Sequence, residues 1–218
     1  MDSDRQAAMF ETKSSNQYSP PDLAPRHTSR ALPPYAFVPG MFPHPYREPL
    51  GHSFNQVAEG VHAGDRELIK AVHCWAIDLF NLGYYWESHE AWEALWHAYG
   101  RRGPSADFVK GLIKLAAAGV KAREGKPIGI RRHARRAAEL FSNSAGGVGA
   151  DELTVLGLKP TQLIQHCLLL TSVADQILNT TAAPVQRVMP FNLEPDLRAL
   201  ELATRAQPVS VKPQRGRQ

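Results

Sequence analysis

Residues 80–100 read FNLGYYWESHEAWEALWHAYG, and this stretch decides the fold. Asn81 and Gly83 end one apolar pattern, and Gly100 ends the next. Between them bulky residues recur at helical spacing, which predicts a helix over about 84–99. Upstream, Leu68, Val72, Trp75, Leu79 and Leu82 fall on one stripe, with Asp65 placed to cap its start. Gly83 then supplies the left-handed turn that closes this first helix. Two helices joined so briefly pack side by side and antiparallel.

Three more helices follow the same logic. Ser105 and Asp107 open a third over roughly 106–124, with Phe108, Leu112, Leu115 and Gly119 on one stripe. Its small residues, Gly111, Ala116, Ala117, Ala118 and Gly119, permit close approach of a neighbour. Gly125 and Pro127 form a stop–start pair before a fourth helix striped by Ile130, Ala134, Ala137 and Phe141. Gly146, Gly147 and Gly149 break the chain before Pro160 opens a fifth. Its expected stripe is Ile164, Cys167, Leu168, Thr171, Ala174 and Leu178. The prediction is an all-α fold: a single antiparallel bundle of about five helices over 65–180.

Proline placement divides the remainder. Nine of the 17 prolines lie in residues 1–50, and only Pro104, Pro127 and Pro160 lie between 51 and 180. Residues 1–30 are polar and aperiodic, so a disordered tail is expected. Residues 31–64 mix prolines with Tyr35, Phe37, Phe42, Tyr46 and Phe54, which reads as an extended arm laid on the bundle. Residues 181–218 form a C-terminal extension without strong periodicity: Val185–Leu193 suits an extended strip, and the last residues a frayed end.

Two cysteines, Cys74 and Cys167, each in an apolar helical pattern, read as buried free thiols of a reducing compartment. No secretory signal is visible at the start, and no apolar run approaches the roughly 20 residues of a membrane span. A cytoplasmic protein without a membrane partner is expected. A homo-oligomer is compatible with the apolar and aromatic faces.

The chemistry concentrates on the second helix. All four tryptophans, Trp75, Trp86, Trp92 and Trp96, lie within its neighbourhood. At about 100° per residue, Glu93 stands about 40° from His89, on the same face as Trp86, with Glu90 at the border and Glu87 on the far, solvated side. His89 and Glu93, four residues apart, are adjacent on that face. Either they are two ligands of a Zn, Mn or Fe ion, or the carboxylate accepts a hydrogen bond from the imidazole and the pair only fixes packing. Further ligands would come from His44 or His52 on the arm, or from His97. Glu90 is the nearest spare carboxylate for base work. The segment lacks the second histidine of the His-Glu-x-x-His metalloprotease helix. Glu59–His62 is a solitary Glu-x-x-His pair, where di-iron bundles need one on each of two helices.

This segment resembles the core of the domain-of-unknown-function 309 family of bacterial and archaeal proteins. His89, Glu93 and Trp96 match its histidine, three residues, glutamate, two residues, aromatic pattern. Asn81 and Gly83 precede them in the same stretch. Gly111-Leu112-Ile113-Lys114-Leu115-Ala116 is similar to the family's next helix, and the likeness spans about 65–142. The resemblance implies a helical bundle and a metal-binding motif, with no established activity and no catalytic residue to carry over.

The formal net charge is +4, but residues 101–140 hold eleven Lys/Arg against three acids. Lys110, Lys114 and Lys121 form one basic stripe and Arg132 belongs to a cluster on the fourth helix. Such a stripe is the footprint of phosphate binding. A nucleic-acid or phosphate-anion binding module is therefore an alternative function, not favoured because no recognised nucleic-acid motif accompanies it. The leading expectation is a metal-binding helical protein centred on His89 and Glu93, with metal-dependent hydrolysis as its candidate reaction; a further option joins the two sites, with basic groups near the metal holding an anionic substrate. The remaining alternative is a structural or interaction protein whose His89–Glu93 pair is a core hydrogen bond.

Overall fold

Asp65 starts the first helix: its side chain accepts the Leu68 backbone N–H at 3.0 Å. Helix α1 runs Arg66–Leu82 and ends at Gly83, whose φ is +95°. A Cβ at Gly83 would stand 2.8 Å from the Gln186 carbonyl oxygen, so both conformation and space require glycine. After Tyr84 the chain turns back into α2 (Tyr85–Ala98). Then follow α3 (Pro104–Arg123), α4 (Pro127–Ser144) and α5 (Pro160–Val173). Each of these three opens on a proline, where the missing N–H has no partner to lose. Consecutive helices pack on one another from α1 to α5.

The computed structural model describes residues 20–56, 60–62, 64–144 and 155–206. Among these residues the only β feature is an isolated bridge between Val155 and Leu158. The molecule is an all-α bundle. Residues 1–19 of the tail expected over 1–30, the break at Gly146–Gly149, Glu59 and the frayed end beyond residue 206 lie outside the described residues.

Among the described residues there are six helices, one more than the expected five or so. Helix α6 (Leu197–Ala206) packs on α1, where Lys70 and Glu201 form an ion pair. Asp196 caps it, its Oδ1 accepting the N–H groups of Arg198 at 2.9 Å and Ala199 at 3.0 Å. Leu200 anchors it in the core. Leu200 and Thr204, four residues apart, give this short helix a buried face that the sequence reading passed over.

The stripes of α3 and α4 are buried as predicted. Gly119 is in close contact: a Cβ there would stand 2.4 Å from the Tyr85 ring. On α1 the predicted stripe is only one of two. Trp75 and Leu79 pack with Ala36 and Tyr84 beneath the arm, while Ile69, Ala76, Ile77 and Phe80 join the main core. A helix apolar on most sides is one covered on most sides. On α5 the buried line is Leu163, Cys167, Leu170 and Ala174, and Leu168 is exposed, correcting the expected stripe by about one position.

Both extensions are clamped to α1 and α2. The strip after α5 packs Val188, Met189, Phe191 and Leu193 into the core. Asn81 holds it: its Nδ2 donates to the Leu193 carbonyl at 2.9 Å, and its Oδ1 accepts the Leu193 N–H at 2.8 Å. The Tyr85 hydroxyl accepts the N–H groups of Val188 and Met189. Arg123, counted in the basic segment, is buried and donates to the carbonyls of Asn179, Thr181 and Ala183.

At the other end, Asp78 is 2% exposed and accepts the His27 N–H at 2.7 Å, the Thr28 N–H at 2.9 Å and the Thr28 hydroxyl at 2.7 Å. A buried carboxylate on α1 thus fixes residues 27 and 28 against the bundle.

Candidate metal centre

Helix α2 turns Tyr85, Ser88, Trp92 and Leu95 into the core. His89, Glu90 and Glu93 lie beside that line, half-buried, on adjacent turns. One ligand atom from each lies within 4.8 Å of the others, close enough for the three to hold one metal ion. Nε2 of His89 is 3.7 Å from Oε2 of Glu93. That separation is too long for a hydrogen bond, and the two side chains are 28% and 40% exposed. The expectation of a closed core hydrogen bond between them is therefore not met.

Burial lowers the pKa of the His89 imidazole, Glu93 partly opposing and Lys114 reinforcing the shift. A neutral imidazole is the form that ligates metal. Burial also pushes the Glu90 carboxyl up to about 7, helped by the charges of Glu93 and Glu87 and opposed by Arg47. Two carboxylates with one imidazole make a nitrogen–oxygen donor set suited to Zn, Mn or Fe. A metal held by these three groups would keep coordination positions open, as in catalytic zinc sites.

The expected further ligands do not join the group. His52 is turned to Glu87, with Nε2 3.1 Å from Oε1. His44 packs against Phe37 and Trp86. His97 is exposed and rests edge-on to Trp96. The third ligand atom comes from Glu90, adjacent in sequence to His89.

Glu87 is not solvated. It is 7% exposed, and its Oε1 accepts the Phe37 backbone N–H at 2.8 Å. The arm covers this side of α2, placing Phe37, His44 and Tyr46 around Trp86. Periodicity within α2 carries no sign of that cover, although the aromatic content of the arm does signal docking.

Basic residues of α3 and α4 border the triad. Lys110 sits 5.1 Å over the Trp96 ring. Burial lowers the Lys114 pKa, as do Lys110, Arg136 and Arg132, while Glu93 opposes. Burial also brings His133 to about 4, with Lys114, Arg132, Lys121 and His89 adding to the shift. His133, missed in the sequence within RRHARR, thus belongs to the same electrostatic neighbourhood. Lys121 is diverted into an ion pair with Glu124, and Arg131 and Arg136 pair with Asp175 and Glu139. Arg132 is exposed on α4.

An all-α bundle with an imidazole–dicarboxylate group on its second helix is the class these features define. Residues 75–133, from within α1 to the first turns of α4, match the family model described as Domain of unknown function (DUF309). The family resemblance read from the sequence is shown over that segment. No curated protein and no solved structure matches the chain.

Proposed function

We propose that this protein binds a divalent transition metal through His89, Glu90 and Glu93 and uses it on an anionic substrate. The observation that carries the reading is the convergence of three ligand atoms within 4.8 Å. When bound, the ion would supply Lewis-acid chemistry at its open positions. His89 offers a neutral nitrogen. Glu90, titrating near neutrality, ligates when ionised or exchanges a proton with a nearby water. Lys114, half-buried beside Glu93, gives the substrate's negative charge a partner, so hydrolysis of a phosphorylated or carboxylated compound is the reaction class supported.

The tests are direct. Purified protein should take up Zn, Mn or Fe stoichiometrically by elemental analysis and isothermal titration, and His89→Ala should lose that uptake. Metal-dependent hydrolysis of p-nitrophenyl phosphate should follow the same loss. No bound metal, together with stability indifferent to chelator, overturns the reading. Extended nucleic acid is the weaker partner, because Arg123 is buried and Lys121, Arg131 and Arg136 have acidic partners.

A further inference from the structure

On the arm side of α2 lies a second feature, which meets the His89–Glu93 edge at Glu90. A cleft of about 1010 Å³ runs between residues 27–34 and 46–56 of the arm and helices α1 and α2. Trp75, Trp86 and Tyr46 contribute aromatic walls, and Glu87 and Glu90 contribute carboxylates. Burying a carboxylate oxygen without a partner is costly. Oε1 of Glu87 has two partners, the Phe37 N–H and His52 Nε2. Oε2 of the same group is buried and has none among the described residues. The residue as a whole is 93% covered, since its exposure is 7%. Nε2 of His27, which also lines the cleft, is a second buried polar atom without a partner among the described residues.

The walls carry charge of both signs, Arg30 and Lys70 against Glu67, Glu87 and Glu90. The guanidinium of Arg30 lies 5.3 Å from the Trp75 ring centroid and that of Arg26 lies 5.7 Å away. The chain thus already places cations on one of these rings, as expected of an indole face. A positive N–H donor between an indole and a carboxylate is the arrangement by which proteins hold organic amines.

We propose that this cleft binds a small organic amine, its ammonium group donating to Oε2 of Glu87 and its apolar body lying along the aromatic walls. The site needs no metal. Glu90 stands at its border with the His89 group, so a bound amine would also lie near that edge of α2.

The experiment is a calorimetric titration of the full chain, in chelator, with phenethylamine, 2-phenylethanol and phenylacetate. Chelator separates this site from the metal reading, which stands or falls on metal uptake. Phenethylamine should bind saturably and at least tenfold more tightly than the alcohol or the acid. Glu87→Gln keeps an acceptor for the Phe37 N–H and should weaken amine binding at least tenfold. The indole N–H signals of Trp75 and Trp86 should shift on titration, whereas that of Trp92, buried in the main core, should not. Should Glu87→Gln fail to fold, the charge series and the indole signals of the unaltered protein still decide. Equal binding of the three compounds, no binding at millimolar concentration, or unchanged affinity in folded Glu87→Gln would overturn the proposal.

Discussion

The indole N–H of Trp92 donates to Nδ1 of His73 at 3.2 Å, while Nε2 of the same imidazole lies 3.0 Å from the Leu156 carbonyl oxygen. One fully buried histidine thus ties α1 to α2 and to the turn before α5. Both contacts are satisfied together by one neutral tautomer, with the proton on Nε2. Protonating Nδ1 would set two donors against each other.

This geometry gives a pH prediction. Burial brings His73 down to about 4 from the ordinary 6.5, with the Leu156 carbonyl opposing. Between these values the unfolded chain carries a proton that the folded chain lacks, so this residue's contribution falls as pH drops and is fully present above about 6.5. Glu90, raised to about 7, acts with opposite sign as pH rises from 4.5. The clean measure is therefore the difference between the native chain and His73→Gln. Urea unfolding should show that difference growing by a few kcal/mol from about pH 4 to pH 6.5 and then levelling. A difference independent of pH would mean that His73 does not titrate in this way.

Gly119 predicts a packing penalty. Its absent Cβ leaves room for the Tyr85 ring, and Tyr85 cannot retreat freely because its hydroxyl holds Val188 and Met189. Gly119→Ala should cost about 1–3 kcal/mol of unfolding free energy, in spite of alanine's better helix propensity. Neutral or stabilising behaviour would show that the ring moves aside without loss.

Local signals made much of this architecture legible. Pro104, Pro127 and Pro160 marked three helix starts, Gly83 marked a stop, and the stripes of α3 and α4 pointed to their buried faces. The four-residue spacing likewise brought His89 and Glu93 together. What escaped depends on segments distant in sequence. Glu87 is buried by Phe37 and His52, and Arg123 by carbonyls more than 50 residues downstream. Helical periodicity reports which residues share a face. It cannot report which of two faces an extended arm will cover.

The metal reading predicts opposite responses on either side of the triad. Removing a ligand with His89→Ala or Glu93→Ala should lower metal affinity at least tenfold, since even outer-shell changes cost roughly 10–100-fold. Lys114 is a cation beside Glu93, so Lys114→Gln should instead strengthen metal binding a few-fold by relieving like-charge repulsion. The same substitution should weaken an anionic substrate. Titration calorimetry with zinc, followed by hydrolysis measured over a range of substrate concentrations, separates the two effects. Weaker metal binding in Lys114→Gln would place that lysine's influence elsewhere.

Asp78 predicts how the arm is held. Its carboxylate receives three hydrogen bonds from His27 and Thr28, and Arg26 lies 3.8 Å away. Asp78→Asn retains an acceptor oxygen but places an amide donor near backbone N–H groups, so it cannot reproduce all three bonds. Asp78→Ala removes them all and opens space beneath the arm. The expected order of stability is native, Asn, Ala, with the last about 2–4 kcal/mol below the first, because each bond to a charged acceptor contributes about 1.5–3 kcal/mol and the freed N–H groups recover water. Limited proteolysis adds a local readout: cleavage after Arg26 and Arg30 should accelerate in the same order, while the bundle fragment resists. Equal cleavage of all three proteins would show that the arm is retained by its other contacts, chiefly Glu87 with Phe37 and Tyr84 with Pro33.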